Sequence, residues 1–232
     1  MFCVNKQPFH YYSPSARLGF FIIFQISMSP EFKSYTGTDG LTGIYRTAQI
    51  LSKHICAEPL MANISPKGIF GYMKHNLATW LVDDKGAISG VVKVLPWHPN
   101  LANVGGGLEK MEEMAIENMD KGNSPSGFEL GSLLIPINEY RKHHLATNLV
   151  EVITNQVHKM HPNKMIFSVV DKTNIASNNL FELHQKWTKL DNDLVKLFLG
   201  KMSIDILQGW DANIYLDPES MKILLQEQTI IA

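Results

Sequence analysis

The chain has 232 residues, of which 45% are hydrophobic and 19% are charged, and its formal net charge is −1. This near-neutral balance argues against binding to nucleic acid and against stable association with an acidic membrane surface, because both need a clustered positive field. The two cysteines, Cys3 and Cys56, are too few to staple a fold or to complete a zinc site, so a reducing, cytoplasmic setting is expected.

The first 29 residues differ in pattern from the rest of the chain. Residues 18–26 (LGFFIIFQI) have the apolar length of a signal-peptide core and are too short to span a bilayer. No small-x-small cleavage pattern follows them, so we interpret 1–29 as a leader or an extension from a start codon assigned too early, with Met28 as the alternative start. Secretion, or an extra element packed on the domain, stays open. Residues 30–232 are predicted to form a single domain.

The first part of this domain alternates between strand and helix patterns. The predicted elements are a strand at 32–36, helices at 41–55 and 66–75, strands at 78–82 and 87–95, a loop at 100–107 and an acidic helix at 108–119. The turn Asp83-Asp84-Lys85-Gly86 makes the two middle strands a hairpin, and Pro96 and Pro99 are expected to end it. The acidic helix is expected to expose one solvated face, formed by Glu109, Glu112, Glu113 and Glu117, with an active-site lid or a partner surface as the alternatives.

The second part repeats a strand and a helix at a spacing that implies a parallel strand pair. The predicted elements are a strand at 128–137, a helix at 145–160, a strand at 165–170, a helix at 174–187, a late strand at 193–199 and a terminal helix at 218–228. The fold class is therefore α/β (α+β), with a mixed, mostly antiparallel central sheet, one parallel pair and helices on both faces. The start of the 145–160 helix suits an anion, because unpaired N–H groups and the helix dipole point there.

Two short motifs at strand–helix junctions resemble the GCN5-related N-acetyltransferase (GNAT) superfamily. The run Arg141-Lys142-His143-His144-Leu145-Ala146 is similar to the family pattern Arg/Gln-x-x-Gly-x-Gly/Ala, whose backbone amides hold the pyrophosphate of coenzyme A. His144 replaces the middle glycine, which requires an outward side chain and a helical backbone. The run 174–181 is similar to Asn-x-x-Ala-x-x-x-Tyr, with Ser177 in place of Ala and Phe181 in place of Tyr.

The resemblance implies a GNAT-like acyl-CoA N-acyltransferase fold and a set of site residues. Glu129 is the expected acceptor-side carboxylate, with a surface carboxylate as the alternative, and Ser177 is a second candidate catalytic residue. Phe181 lacks the proton that the family tyrosine gives to the leaving thiolate, so Ser177, a nearby tyrosine or solvent must supply it. The expected coenzyme A contacts are Leu134, Ile135, Ile137, Arg141, Lys142, His143, His144, Leu145, Ala146, Thr147, Asn174 and Phe181.

The predicted function is that of an acyl-CoA-dependent N-acyltransferase that transfers acetyl from acetyl-CoA to a primary amine of a small molecule or peptide. The alternative is a catalytically weak or inactive acyl-CoA-binding sensor of the same fold. A Rossmann-like domain is disfavoured, because no G-x-G-x-x-G occurs. No metal is expected, since His158 and His161 lack further ligands nearby in sequence. A monomer or homodimer is expected.

Overall fold

The computed structural model describes residues 32–37, 48–53, 65–103, 107–135, 144–202 and 211–226. The strands are β1 (Lys33–Thr36), β2 (Ala78–Val82), β3 (Ile88–Trp97), β4 (Gly127–Leu134), β5 (Met165–Asp171), β6 (Thr188–Lys189) and β7 (Ala212–Leu216). The α-helices are α1 (Pro66–Lys74), α2 (Gly107–Asp120), α3 (Leu145–Met160), α4 (Ile175–Asn179), α5 (Asn192–Met202) and α6 (Pro218–Gln226). A 3₁₀ turn at Pro99–Asn103 and a π-helical turn at Leu180–His184 complete the list.

The described strands form one seven-stranded sheet in the order β1-β2-β3-β4-β5-β7-β6. Strands β4 and β5 are parallel, and the other neighbouring pairs are antiparallel. Helix α3 connects the two parallel strands, because such a pair needs a crossover connection. The predicted mixed, mostly antiparallel sheet with one parallel pair is confirmed.

Helices cover both faces of this sheet, as predicted. Helices α1 and α2 pack against β2 and β3, and helix α3 packs against β1, β2 and β3. A Cβ built on Gly90 of β3 would meet Leu149 of α3, whereas Lys93 of β3 contacts Glu112 of α2. Residues an odd number apart on a strand point to opposite faces, so α3 and α2 lie on opposite sides. Helix α6 packs against β5.

The predicted hairpin is confirmed, but Pro96 does not end it. Asp83 Oδ1 accepts hydrogen bonds from the backbone N–H groups of Lys85 and Ala87, which closes the turn. Strand β3 continues through Pro96 to Trp97. The N–H of Val94 donates to the Leu77 carbonyl on the β2 side, and residue 96, two positions later, faces the same side. At Pro96 strand β2 has already ended, so the missing proline N–H costs no ladder hydrogen bond.

The C-terminal part contains the main corrections to the sequence analysis. Residues 193–199, predicted as a strand, lie within helix α5, whose first turn is capped by Asp191 Oδ1. The helix predicted at 174–187 is a short α-helix followed by the π-helical turn. The sequence predicts neither β6 nor β7. The loop predicted at 100–107 contains the last four residues of the 3₁₀ turn and the first residue of α2.

Several predictions fall outside the described residues. Of the helix predicted at 41–55, the structure describes 48–53, and these residues are helical. The leader or extension at 1–29 lies outside, and the single domain at 30–232 stays a prediction. None of the helices in the described ranges has the length and apolar character that crossing a bilayer requires.

A buried polar cluster fastens α6 to the start of β5. Asp217 Oδ1 accepts from the Ser220 N–H at 2.8 Å, and Asp217 Oδ2 accepts from Ser220 Oγ at 3.0 Å. His158 Nε2 of α3 lies 2.7 Å from the same Oδ2 atom. Ser220 Oγ in turn accepts from the N–H of Ile166 at 2.6 Å. One carboxylate therefore joins α3, β5 and α6.

We expect Asp217→Ala to lower the free energy of unfolding by about 3 kcal/mol, because it removes a helix cap and leaves buried partners unsatisfied. The measurement is urea denaturation. Glu219→Ala is the matched control on the same helix turn, since it removes only an exposed ion pair to Lys222 and should cost less than about 1 kcal/mol. Equal losses in the two variants would contradict the role of Asp217.

Candidate active site

Glu129 lies in the centre of the sheet, at the last residue pair of the parallel ladder. Strands β4 and β5 pair at Gly127 with Met165, Phe128 with Ile166 and Glu129 with Phe167. Its antiparallel partner on β3 is Leu95. Leu95 and Lys93 share one face of β3, so the Glu129 side chain lies on the sheet face that α1 and α2 cover. The residue is partly accessible to solvent.

Beyond Glu129 the two parallel strands no longer form a backbone ladder within the described residues. The next contact between β4 and β5 involves a side chain. Ser168 Oγ on β5 donates a hydrogen bond to the Leu130 carbonyl oxygen on β4 at 3.0 Å. On its other side, β4 carries a bulge opposite Val92, and Ser132 in this bulge has a positive φ of 51°. A bulge bends a strand and increases its twist. The stretch of β4 after Glu129 therefore has backbone groups without a β5 partner, which suit an extended ligand chain that carries amides.

Open space lies beside Glu129 at Gly131. A Cβ built on Gly131 would meet no heavy atom within 4 Å. Gly127, on the same strand, is closely packed instead, since a Cβ there would lie 2.9 Å from the Met165 carbonyl oxygen and 2.7 Å from the Met202 methyl group. Two residues after Glu129, the sheet surface therefore has room for at least one added carbon atom.

Burial and two nearby charges bring the pKa of Glu129 close to neutrality. Burial raises the pKa of Glu129 to about 7, the positive charge of Lys93 opposes this rise, and the negative charge of Glu112 adds to it. Such a carboxyl group exchanges its proton in the range in which a general base must work. Among the predicted site residues, Glu129 has both the exposure and the pKa that proton transfer requires.

Glu112 does not belong to the solvated face that the sequence predicts for α2. Glu109, Glu113 and Glu117 are exposed, whereas Glu112 is buried and accepts a hydrogen bond from the ammonium group of Lys93. A buried carboxylate needs such a partner, because the cost of losing water is otherwise uncompensated. The signal that would have revealed the pair is Lys93 itself, a lysine inside an otherwise apolar strand.

The start of α3 has a left-handed residue where the sequence analysis required a helical one. His144 has φ 54° and ψ 21° and precedes the first residue of the helix. Its side chain is exposed, as required, but its backbone is in the region that glycine adopts most easily. The expectation of a right-handed conformation was therefore wrong: the histidine adopts the conformation that a glycine at this position of the motif would adopt freely.

The predicted coenzyme A contacts divide into described and undescribed residues. Leu134, Ile135 and Leu145 are buried, and Ala146 and Thr147 are half-buried near the helix start. The carbonyl of Thr147 accepts from Gln185 Nε2 at 2.8 Å, which fixes the first turn of α3 against the end of the π-helical turn. Four of the predicted contacts lie outside the described residues: Ile137, Arg141, Lys142 and His143.

The second motif forms the start of α4 and a packed aromatic group. Asn174 is the N-cap of this helix, and its side chain accepts from the N–H of Ser177 at 3.1 Å. Phe181 is buried, with ring centroids 4.8 Å from Trp187 and 5.5 Å from Tyr215. Asn174 and Phe181 thus have structural partners, and their contact with coenzyme A stays a prediction, as does the catalytic role of Ser177.

Tyr215, whose ring stacks on Phe181, carries a hydroxyl group near this position. Its Oη lies 2.7 Å from Asn178 Oδ1 and 2.8 Å from Glu182 Oε1, and burial together with Glu182 raises its pKa. A proton held in this way is a poor one to give to a thiolate. Within the ranges described, no three His, Cys, Asp or Glu side chains converge as metal ligands, and the absence of a metal stays a prediction.

Solved structures of N-acetyltransferases are similar to this chain. A GNAT-family N-acetyltransferase from Escherichia coli in complex with CoA shares 11% identity at a TM-score of 0.46, over 93% of this chain and 89% of that chain. This chain resembles the GCN5-related N-acetyltransferases. The catalytic domain of the Tetrahymena GCN5 histone acetyltransferase in complex with coenzyme A shares 14% identity at a TM-score of 0.42, over 82% of this chain and 93% of that chain. An arylalkylamine N-acetyltransferase from Aedes aegypti shares 14% identity at a TM-score of 0.41, over 80% of this chain and 96% of that chain. No protein-family model and no curated protein sequence matches the chain.

We expect Gly131→Ala to change the free energy of unfolding by no more than about 1 kcal/mol, because the added methyl group meets no neighbour. Gly127→Ala is the matched variant on the same strand and should cost about 2 kcal/mol, since its methyl group meets a backbone carbonyl. Urea denaturation of both proteins tests the contrast. A loss at Gly131 as large as that at Gly127 would show that the space beside Glu129 is closed.

We expect His144→Val to lower the free energy of unfolding by about 1–2 kcal/mol, because a β-branched side chain is strained at positive φ. His144→Gly should be no less stable than the parent chain, since glycine adopts this conformation without strain. Asn148→Val, at an exposed right-handed position of the same helix, is the control and should cost less than about 0.5 kcal/mol. Indistinguishable valine and glycine variants at residue 144 would contradict the left-handed assignment.

Proposed function

We propose that this protein is an acyl-CoA-dependent N-acyltransferase that transfers acetyl from acetyl-CoA to a primary amine. The observation that carries the proposal is the setting of Glu129. Glu129 is a partly accessible residue whose carboxyl pKa burial raises to about 7, at the end of a short parallel ladder and two residues from open space. The motif at the start of α3 supports the coenzyme A part of the proposal.

Glu129 is the proposed general base. An alkylamine is mostly protonated at neutral pH and cannot attack a carbonyl group until it loses a proton. The Glu129 carboxylate accepts that proton, directly or through one water molecule, which leaves a neutral amine next to the open space at Gly131. A pKa of about 7 keeps a large fraction of Glu129 ionised at neutral pH and still lets it bind the proton.

The backbone of β4 and the start of α3 are the proposed holders of acyl-CoA. Acetyl-CoA supplies an activated thioester carbonyl group when it is bound. The β4 backbone beyond Glu129 has no β5 ladder and suits the amide-bearing pantetheine arm. The helix start after His144 suits the pyrophosphate, because N–H groups without helical partners and the positive end of the dipole meet there.

The proton for the departing thiolate is proposed to come from solvent. Phe181 has no ionisable proton and is packed between Trp187 and Tyr215. The Tyr215 hydroxyl is held by Asn178 and Glu182, and its pKa is raised. The alternative donor, Ser177, is half-buried at the start of α4. A solvent route needs no further group, because a free thiolate of ordinary pKa is protonated readily near neutral pH.

The remaining parts of the proposal concern the acceptor and the setting. The acceptor is a small-molecule or peptide amine, acetyl is the donor group, and no nucleic acid or metal takes part. The working form is a monomer or a homodimer in the cytoplasm. The near-neutral composition of the chain supports the exclusion of nucleic acid, since it provides no excess of positive charge.

We expect Glu129→Gln to lower kcat/KM by about a hundredfold, since it removes the base and leaves the shape of the site intact. The assay is release of free thiol from acetyl-CoA in the presence of a panel of amines, polyamines, amino acids and peptides. In the parent chain, kcat/KM should rise with pH up to about 7 and then level off, because ionised Glu129 is the active form. The variant should lose this rise.

Glu113→Gln is the matched control, because Glu113 is an exposed glutamate of α2, and its activity and pH profile should be unchanged. The melting temperature should rise with added coenzyme A in all three proteins to the same extent. Full activity of Glu129→Gln would remove Glu129 from the mechanism. Binding of coenzyme A without thiol release for any amine would replace the transferase with an acyl-CoA sensor.

A further inference from the structure

A buried ion pair lies directly behind Glu129. The ammonium group of Lys93 on β3 donates a hydrogen bond to Glu112 Oε1 on α2, and the two side chains are only 4% and 7% exposed. The same ammonium group lies 4.9 Å from the centroid of the Tyr72 ring on α1. Two helices thus place a carboxylate and an aromatic ring beside one lysine of the sheet.

The register of the sheet places Lys93 next to Glu129. Lys93 is the direct partner of Gly131, so Glu129 is its diagonal neighbour on the same face. Diagonal neighbours on adjacent strands are within reach of long side chains. Gly131 contributes no side chain, and a Cβ there would meet nothing within 4 Å, so no side chain of the direct partner separates the two.

The accessibilities of these groups decide how the pair can act. Glu129 is partly accessible, whereas Lys93, Glu112 and Tyr72 are buried. Glu129 is thus the accessible member of the group, and the ion pair lies behind it. We therefore expect Lys93 and Glu112 to act on a reaction at this site through Glu129.

The two members of the pair act on Glu129 in opposite directions. Lys93 from β3 favours the Glu129 anion, and Glu112 from α2 disfavours it. Tyr72 from α1 is neutral, because burial and then the two glutamates raise its pKa well above the ordinary value. The pKa of Lys93 is lowered by burial, and Glu112 and Glu129 oppose that change.

We propose that Lys93 and Glu112 are positioning residues that set the pH at which Glu129 becomes a base, Lys93 by favouring its anion and Glu112 by opposing it. The catalytic part of this inference rests on the proposed function, in which Glu129 takes a proton from the amine. The pair itself forms no bond with substrate. Its effect is the electrostatic free energy of a neighbouring carboxylate in a poorly hydrated site.

A purely structural ion pair makes a different prediction. Removing either member would then lower stability, but it would not move the pH profile in a direction that depends on the sign of the lost charge. Opposite shifts from two members of one pair are the signature of electrostatic control. The pH profile therefore separates the two roles, which a loss of activity alone would not do.

The first measurement is the pH dependence of kcat/KM. Glu112→Gln keeps a hydrogen-bond acceptor for Lys93 and should move the rising limb about one pH unit lower. Lys93→Met should move it about one unit higher, and Lys93→Arg should restore a limb close to that of the parent chain. The double variant Lys93→Met/Glu112→Gln has no buried charge left unpaired and should give a limb between those of the two single variants.

The second measurement does not depend on turnover. The carboxyl carbon of Glu129 in uniformly ¹³C-glutamate-labelled protein is followed by NMR from pH 5 to pH 9, with Glu129→Gln used for its assignment. The midpoint should move in the same directions as the kinetic limbs. Lys222→Met, which alters an exposed pair on α6, is the control and should leave the midpoint unchanged.

Opposite shifts in Glu112→Gln and Lys93→Met support the proposal, and shifts of the same sign or no shift overturn it. If Lys93→Met does not fold, Glu112→Gln and the double variant decide, since the double variant must titrate at higher pH than Glu112→Gln. If no amine is acylated at any pH, the proposed function fails, and the NMR midpoints still decide whether Lys93 and Glu112 control Glu129.

Discussion

The parallel ladder between β4 and β5 is three residue pairs long, and the candidate site lies where this ladder stops. Continued pairing would leave neither free backbone groups nor space between the strands. On one side of the ladder, Gly127 of β4 lies close to the Met165 carbonyl of β5, and the N–H of Ile166 donates to Ser220 Oγ, which fastens β5 to α6. On the other side, the bulge at Ser132 bends β4, and Gly131 leaves the surface open. The carboxyl group of Glu129 lies at the boundary between these two regions.

This boundary also explains the charge arrangement on the α1 and α2 face. An ionised carboxylate that loses part of its water is costly, and the rise in the pKa of Glu129 reflects that cost. Lys93 and Glu112 neutralise each other, so the cluster is neutral when Glu129 is protonated and carries one negative charge when it is not. A buried ion pair contributes little to stability compared with apolar residues of the same volume. The position of this pair beside Glu129 therefore says more about its role than its contribution to stability does.

The periodic parts of the chain were predictable, and the parts decided by distant partners were not. The apolar stripe of α3, with Leu149, Ile153 and Val157 buried, has the helical period, and the hairpin has a turn of Asp and Gly. The run at 193–199 has charged residues only at Asp193 and Lys196, and seven residues are too few for the period to separate strand from helix; the cap by Asp191 lies outside the run. Glu112 is one of four glutamates in the acidic helix, and only the position of Lys93, on another element, distinguishes it from the other three.

The two departures from the family motifs differ in physical meaning, although each is a single substitution. At His144 the motif specifies a backbone conformation, and the chain keeps φ at 54° with a residue that tolerates it at some cost in strain. The substitution therefore preserves the shape of the helix start. At Phe181 the motif specifies a hydroxyl group, which no change of conformation can replace. The ring is packed between Trp187 and Tyr215, so this position contributes to the core, and the proposed reaction needs another proton source for its thiolate. The substitution at residue 144 thus keeps the backbone geometry of the motif, whereas the substitution at residue 181 removes its hydroxyl group.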